Sequence, residues 1–82
     1  MVTIDFTVLT PTIEYLTSQV DGIKVIFTTT NSFEQVLRLF KNGLLLEEGS
    51  DYTVSVPNTI TFFVAPKIHP LDGAEKIRAE LI

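Results

Sequence analysis

The chain has 82 residues, of which 45 % are apolar and 20 % charged, with a net charge of −4 and no cysteine. A single domain of this length buries only roughly 60–65 % of its unfolded surface, so so apolar a composition has more to cover than one small core can hold. An acidic balance with six basic residues makes a poor phosphate-backbone binder and argues against nucleic acid as a partner, and the lack of cysteine excludes disulfide frameworks and thiolate metal sites.

No basic-then-apolar segment opens the sequence, and its apolar runs are too short to span a bilayer, which leads to the expectation of a soluble, unprocessed chain with no membrane partner. Val2, Ile4, Phe6 and Val8 alternate with Thr3, Asp5 and Thr7, the pattern of a half-buried strand that Thr10-Pro11 ends. Thr12 to Val20 fits either a short strand or a single helical turn. Asp21-Gly22 is a turn, and Ile23 to Thr29 follows as a strand with Ile23, Val25 and Phe27 inward. Phe33 to Lys41 divides two templates. Phe33, Val36, Leu37 and Phe40 match helical spacing, whereas the Asn42-Gly43 that follows and the strands on either side favour a strand.

Asn42-Gly43 is the strongest hairpin signal in the chain, because a type I′ turn needs positive φ at both central residues and these two supply it most cheaply. Leu44 to Leu46 returns from it, Glu47 to Ser50 is a solvated loop, and Asp51 to Val56 alternates with Tyr52, Val54 and Val56 inward. After a Pro57-Asn58 turn, Thr59 to Val64 places Ile60, Phe62 and Val64 inward. Ala65 to Ala74, with Pro66, Pro70 and Gly73, reads as a long crossing loop. Glu75 to Ile82 closes as a strand with Ile77, Ala79 and Leu81 inward and Lys76, Arg78 and Glu80 outward. About seven or eight short strands with frequent turn signals predict an all-β fold, a small antiparallel β-sandwich of Ig-like kind or a partly open barrel, spanning residues 1–82 as one domain.

The residues with chemical potential have plain structural readings. His69 is the only histidine and lies between Ile68 and Pro70 in a loop, with too few further ligands to hold a metal. Glu47, Glu48 and Asp51 offer hard oxygens, but their spacing fits no calcium loop and an acidic turn is ordinarily solvated. Asp51 suits local backbone N–H groups at a strand start, and Tyr52 suits a buried ring. Ser18, Ser32, Ser50 and Ser55 lack a nucleophile-elbow context, and Gly43 and Gly49 belong to turns rather than to a phosphate cradle. No catalytic residue, cofactor or metal is expected. What remains is an apolar surplus beyond the core faces, in which Leu44, Leu45, Leu46, Phe63, Ile68, Leu71 and Ile82 are candidates for an interface, while Leu9 or Leu16 and Ile26 also fall off the core pattern.

The centre of the chain resembles a module of tailed-bacteriophage virion proteins. The resemblance rests on Leu39-Phe40-Lys41-Asn42-Gly43, Gly49-Ser50-Asp51-Tyr52-Thr53-Val54, Asn58-Thr59-Ile60-Thr61-Phe62, Ala65-Pro66, and Asp72-Gly73 with Ile77, taken in that order over residues 36–80. The segment from Lys67 to Ala74 is longer than the module's usual turn, and Asp72-Gly73 reverses its commoner order. The resemblance implies a non-enzymatic virion structural role. The shortness of the chain favours a capsid decoration or cement protein over a fibre, with a small tail or neck component as the alternative. It also implies assembly in the host cytoplasm into the virion, the major capsid protein or another virion protein as partner, and a homo-oligomer, of which a trimer is one form. The alternative from another class is a β-sandwich module binding carbohydrate or a host surface. It would require exposed aromatic residues clustered in a shallow groove, and the chain has no Trp, two Tyr and six Phe.

Overall fold

The computed structural model describes residues 11–82. The strand expected over Val2 to Val8 lies outside the described residues, as does Leu9. Nine strands follow in order: β1 (Thr12–Tyr15), β2 (Ile26–Thr28), β3 (Val36–Lys41), β4 (Leu44–Leu45), β5 (Tyr52–Ser55), β6 (Thr59–Phe62), β7 (Ile68–His69), β8 (Gly73–Ala74) and β9 (Ile77–Leu81), with one 3-10 turn at Thr17–Gln19. They form a four-stranded sheet in the order β1-β9-β3-β4, a three-stranded sheet in the order β2-β6-β5, and a β7-β8 hairpin, and every paired strand is antiparallel. The fold is a small all-β sandwich.

The core lies between the two larger sheets. Leu39, Ile77, Ala79 and Leu81 from the first meet Phe27, Ile60, Phe62 and Tyr52 from the second, with Leu16, Val20 and Phe33 closing the ends. Phe27 and Phe62 stand edge to face with centroids 5.0 Å apart, the arrangement that the ring quadrupoles favour. Glu14 joins the sheets at the rim, where its carboxylate accepts the Thr30 N–H at 2.7 Å and the Asn31 N–H at 3.0 Å.

Residues 12–20 contain both of the alternatives weighed for them, a strand and then a helical turn. Leu16, expected to be surplus to the core, is fully buried in it, since the chain turns inward after β1 and the Leu16 N–H reaches Ile77 O at 2.9 Å. Of the strand expected over residues 33–41, Val36–Lys41 is a strand and residues 33–35 are not. The helix-like spacing has a physical source in a β-bulge between Val36 and Arg38 against β9. The extra residue places Phe33, Val36 and Leu39 inward at intervals of three and pushes Leu37 out.

The turn at Asn42-Gly43 has the predicted backbone, φ +52° and +81°. It is also pinned to the start of β9: the Asn42 N–H donates to Lys76 O and the Lys76 N–H to Asn42 Oδ1, each at 2.8 Å.

Four inward assignments are corrected. Ile23 is exposed because the Asp21 carboxylate accepts the Ile23 and Lys24 N–H groups and holds a turn there, so that β2 begins only at Ile26. Val25, next to it, is only half-buried. Val56 is exposed in the loop between β5 and β6, and Val64 is exposed beyond the end of β6. The segment 65–74 is not a plain crossing loop, since it carries the β7-β8 hairpin with Ile68 opposite Ala74. Glu80 points outward as alternation requires, yet it is only 7 % exposed. Two guanidinium groups cover it, with Arg38 Nε at 2.8 Å and Arg78 Nη2 at 2.9 Å.

Candidate interaction surface

The outward face of the four-stranded sheet follows from its register. Tyr15 pairs with Arg78, Arg78 with Phe40 and Phe40 with Leu45, so these four side chains form one row across β1, β9, β3 and β4. Ile13, Glu80 and Arg38 form a second row beside it. Because strand neighbours alternate faces, Lys76 joins this side. Among the described residues the face therefore carries Arg38, Lys76 and Arg78 against the single carboxylate of Glu80, in a chain whose total charge is −4. The Arg78 guanidinium lies 5.5 Å from the Phe40 ring centroid, within cation–π range. Its Nε is buried with no hydrogen-bond partner among the described residues. Tyr15 is 67 % exposed. Between Tyr15 and Phe40 lies a recess of about 530 Å³, bordered by Thr17, Gly43, Lys76 and Arg78.

The opposite outer face, on the three-stranded sheet, differs in kind. Thr28, Thr59 and Ser55 form one cross-strand row and Ile26, Thr61 and Thr53 the next, so hydroxyl groups dominate it. At its edge the Gln19 side chain meets the outermost strand as a backbone would. Its Oε1 accepts the Thr28 N–H at 3.1 Å and its Nε2 donates to Thr28 O at 2.7 Å.

The seven candidate interface residues fall in separate places. Leu44 and Leu45 are exposed on β4, Ile68 and Leu71 on the β7-β8 hairpin, and Phe63 just past β6 beside exposed Val64. Leu71, at the hairpin tip, is 97 % exposed. Leu46 is half-buried and packs on the core. Ile82 is half-buried, and its backbone is tied to Gln35 in both directions. The structure does not bring the seven onto one strand or sheet. Tyr15, Phe40, Lys76 and Arg78, which it does bring together, were not singled out by the sequence. Alternation put Lys76 and Arg78 on one face, but only the register places them between Tyr15 and Phe40.

The acidic loop is a built turn. Asp51 Oδ2 accepts the Glu47 N–H at 2.8 Å, and the Asp51 N–H returns to Glu47 O at 2.8 Å. Tyr52 follows with its ring in the core. Burial first, and the nearby Glu48 and Asp51 charges second, push its hydroxyl above the ordinary tyrosine value. His69 lies in β7, with Nε2 3.5 Å from Glu75 Oε2. Burial pushes the Glu75 carboxyl up, but the Lys67 N–H at 2.6 Å, the His69 side chain and the Lys41 charge together hold it below the usual glutamate value. Among the described residues no group of three His, Cys, Asp or Glu side chains is arranged to hold a metal ion. Nor among them is any helix long and apolar enough to cross a membrane.

Compared with protein-family models, with curated proteins and with solved structures, the chain matches none. The class is accordingly set by the fold itself, a small antiparallel β-sandwich with apolar side chains displayed on its strands and turns.

Proposed function

We propose that the chain is a non-enzymatic structural protein of a tailed-phage particle, a decoration or cement protein that attaches to the head. The observation that carries this reading is the display of Leu44, Leu45, Phe63, Ile68 and Leu71, each more than half exposed, on a chain of 82 residues. Leu44 and Leu45 adjoin on β4, and Ile68 and Leu71 share the β7-β8 hairpin, so these residues make several local apolar displays that suit a chain covered by neighbours on more than one side. The order of pieces from Leu39 to Ile77 that resembles phage virion modules supplies the kind of partner. Among the described residues β1 and β4 lie at the ends of their sheet, and strand edges left unpaired are ready-made sites for strand addition to a neighbouring subunit or to the major capsid protein. Attachment at a symmetric lattice calls for a homo-oligomer whose symmetry matches the site.

The test is made on particles. Phage particles purified from cells carrying the gene are analysed by mass spectrometry, and the 9.2 kDa chain is expected in fixed stoichiometry with the major capsid protein. Recombinant chain is expected to bind stripped heads, and L44E/L45E to abolish that binding while leaving the fold intact. A chain absent from the particles, or monomeric and indifferent to heads, overturns the reading.

A further inference from the structure

The recess on the four-stranded sheet is lined by none of the apolar residues used for head attachment, although Leu45 stands next to Phe40 in the same row, and its chemistry points elsewhere. We infer that the recess between Tyr15 and Phe40 binds the carboxylate-bearing ring of an acidic saccharide, a uronate or sialate unit. The inference stands whether or not the chain sits on a capsid.

Size and lining support this. A volume of about 530 Å³ lies in the range of small-ligand sites, roughly 300–1,000 Å³, and accommodates one sugar ring with part of the next. Among the described residues no carboxylate lines it, whereas Lys76 and Arg78 do. Lys76 is exposed and pairs with no carboxylate among the described residues. Arg78 has Glu80 as its only hydrogen-bond partner among them. In a chain of net charge −4, a pocket whose charged borders among the described residues are both cations selects an anionic group, which it meets with charge-assisted hydrogen bonds.

The aromatic groups then set the body that carries the anion. Tyr15 is the open aromatic ring at one end of the recess, because Phe40 at the other end is half-buried with Arg78 over it. A one-sided aromatic platform suits the C–H face of a pyranose, whereas a flat aromatic ligand is held better between two rings. Thr17 and the backbone at Gly43 stand at the rim, where ring hydroxyls need partners. The recess lies on an open sheet face rather than in an enclosed cavity, so a unit within a polymer can enter from the side.

The probe is trigalacturonate, titrated into the ¹⁵N-labelled chain and followed by NMR. Shifts are expected at Tyr15, Thr17, Gly43 and Lys76, and not along Thr53, Ser55, Thr59 and Thr61 on the opposite face. Lys76→Glu is expected to weaken binding about tenfold by replacing attraction with repulsion. Tyr15→Ala is expected to weaken it by a similar factor through loss of the platform. Both side chains are exposed, so the two variants should keep the wild-type spectrum elsewhere. Absence of shifts at millimolar trigalacturonate overturns the inference, as does unchanged binding by both variants. Equal binding of neutral galactotriose removes the carboxylate from the argument and also overturns it. Tighter competition by a triglutamate peptide would reassign the recess to an acidic protein segment and overturn the saccharide assignment.

Discussion

Glu80 permits a quantitative test of how the outer sheet face is held. Its side chain is 9 % exposed, while those of its partners Arg38 and Arg78 are 56 % and 42 % exposed. An exposed ion pair contributes roughly 0.2–1 kcal/mol, whereas a buried charge stripped of its partner costs about 3–5 kcal/mol. The arrangement lies between these limits, because the carboxylate is buried and the guanidinium groups are half in water. Replacing Arg38 or Arg78 alone with Met leaves Glu80 one guanidinium and should cost about 1 kcal/mol. Replacing both leaves a buried carboxylate with none and should cost about 3 kcal/mol, more than the sum of the single changes.

In a domain of this size that difference corresponds to a fall in Tm of about 4–8 °C for each single variant and about three times that for the pair. Urea unfolding followed by circular dichroism, with the four proteins treated as a double-mutant cycle, measures the coupling. Strict additivity would refute the argument, since it would mean that the two arginines do not share one buried charge. Adding Glu80→Gln to the double variant should restore most of the loss by removing that charge.

Other consequences follow from named contacts. Phe27→Ala empties the centre of the core and should destabilise by about 3–5 kcal/mol in the same urea assay, enough to leave the chain largely unfolded at 37 °C. Gly43→Val places a β-branched residue at φ +81°, where the cost is backbone strain rather than crowding, and a loss of at least about 1 kcal/mol is expected with wild-type behaviour of the core. Glu75 has its folded carboxyl lowered, so its contribution to stability is present above the unfolded glutamate value and is lost as pH falls through the lower folded value. Urea midpoints of wild type and Glu75→Gln should therefore differ at neutral pH and converge on the acid side. Gln19→Ala exposes the Thr28 N–H and C=O on the edge strand and should raise concentration-dependent association measured by light scattering.

Much of the architecture was legible because its signals are local. Alternation at Ile77, Ala79 and Leu81 and at Ile60 and Phe62 matches the buried faces, and Asn42-Gly43 forms the turn that its residue types require. The errors occur where a specific contact outweighs the alternation pattern. Ile23 has the composition of a strand residue, but the Asp21 carboxylate draws its backbone into a turn. Leu37 fitted a helical stripe until the bulge after Val36 turned it outward. Glu80 is outward in the pleat and yet shielded, which depends on two arginines, one of them 42 residues away in sequence. The recess was illegible for the same reason. Tyr15, Phe40 and Arg78 lie on three strands, and the two-residue period of each says which way its side chains point but not which rows coincide.

The position of β9 in the middle of its sheet governs the order in which the molecule can be completed. Residues 12–15 and 36–41 pair with nothing in common except residues 77–81. During synthesis the first two strands must therefore wait, apolar face uncovered, until residue 81 has emerged, and only then can the four-stranded sheet close. The three-stranded sheet has all its strands by residue 62 and can form first, offering Phe27, Ile60 and Phe62 as a surface on which the waiting strands collect. Loss of residues 77–81 would remove the strand that holds β1 and β3 in one sheet.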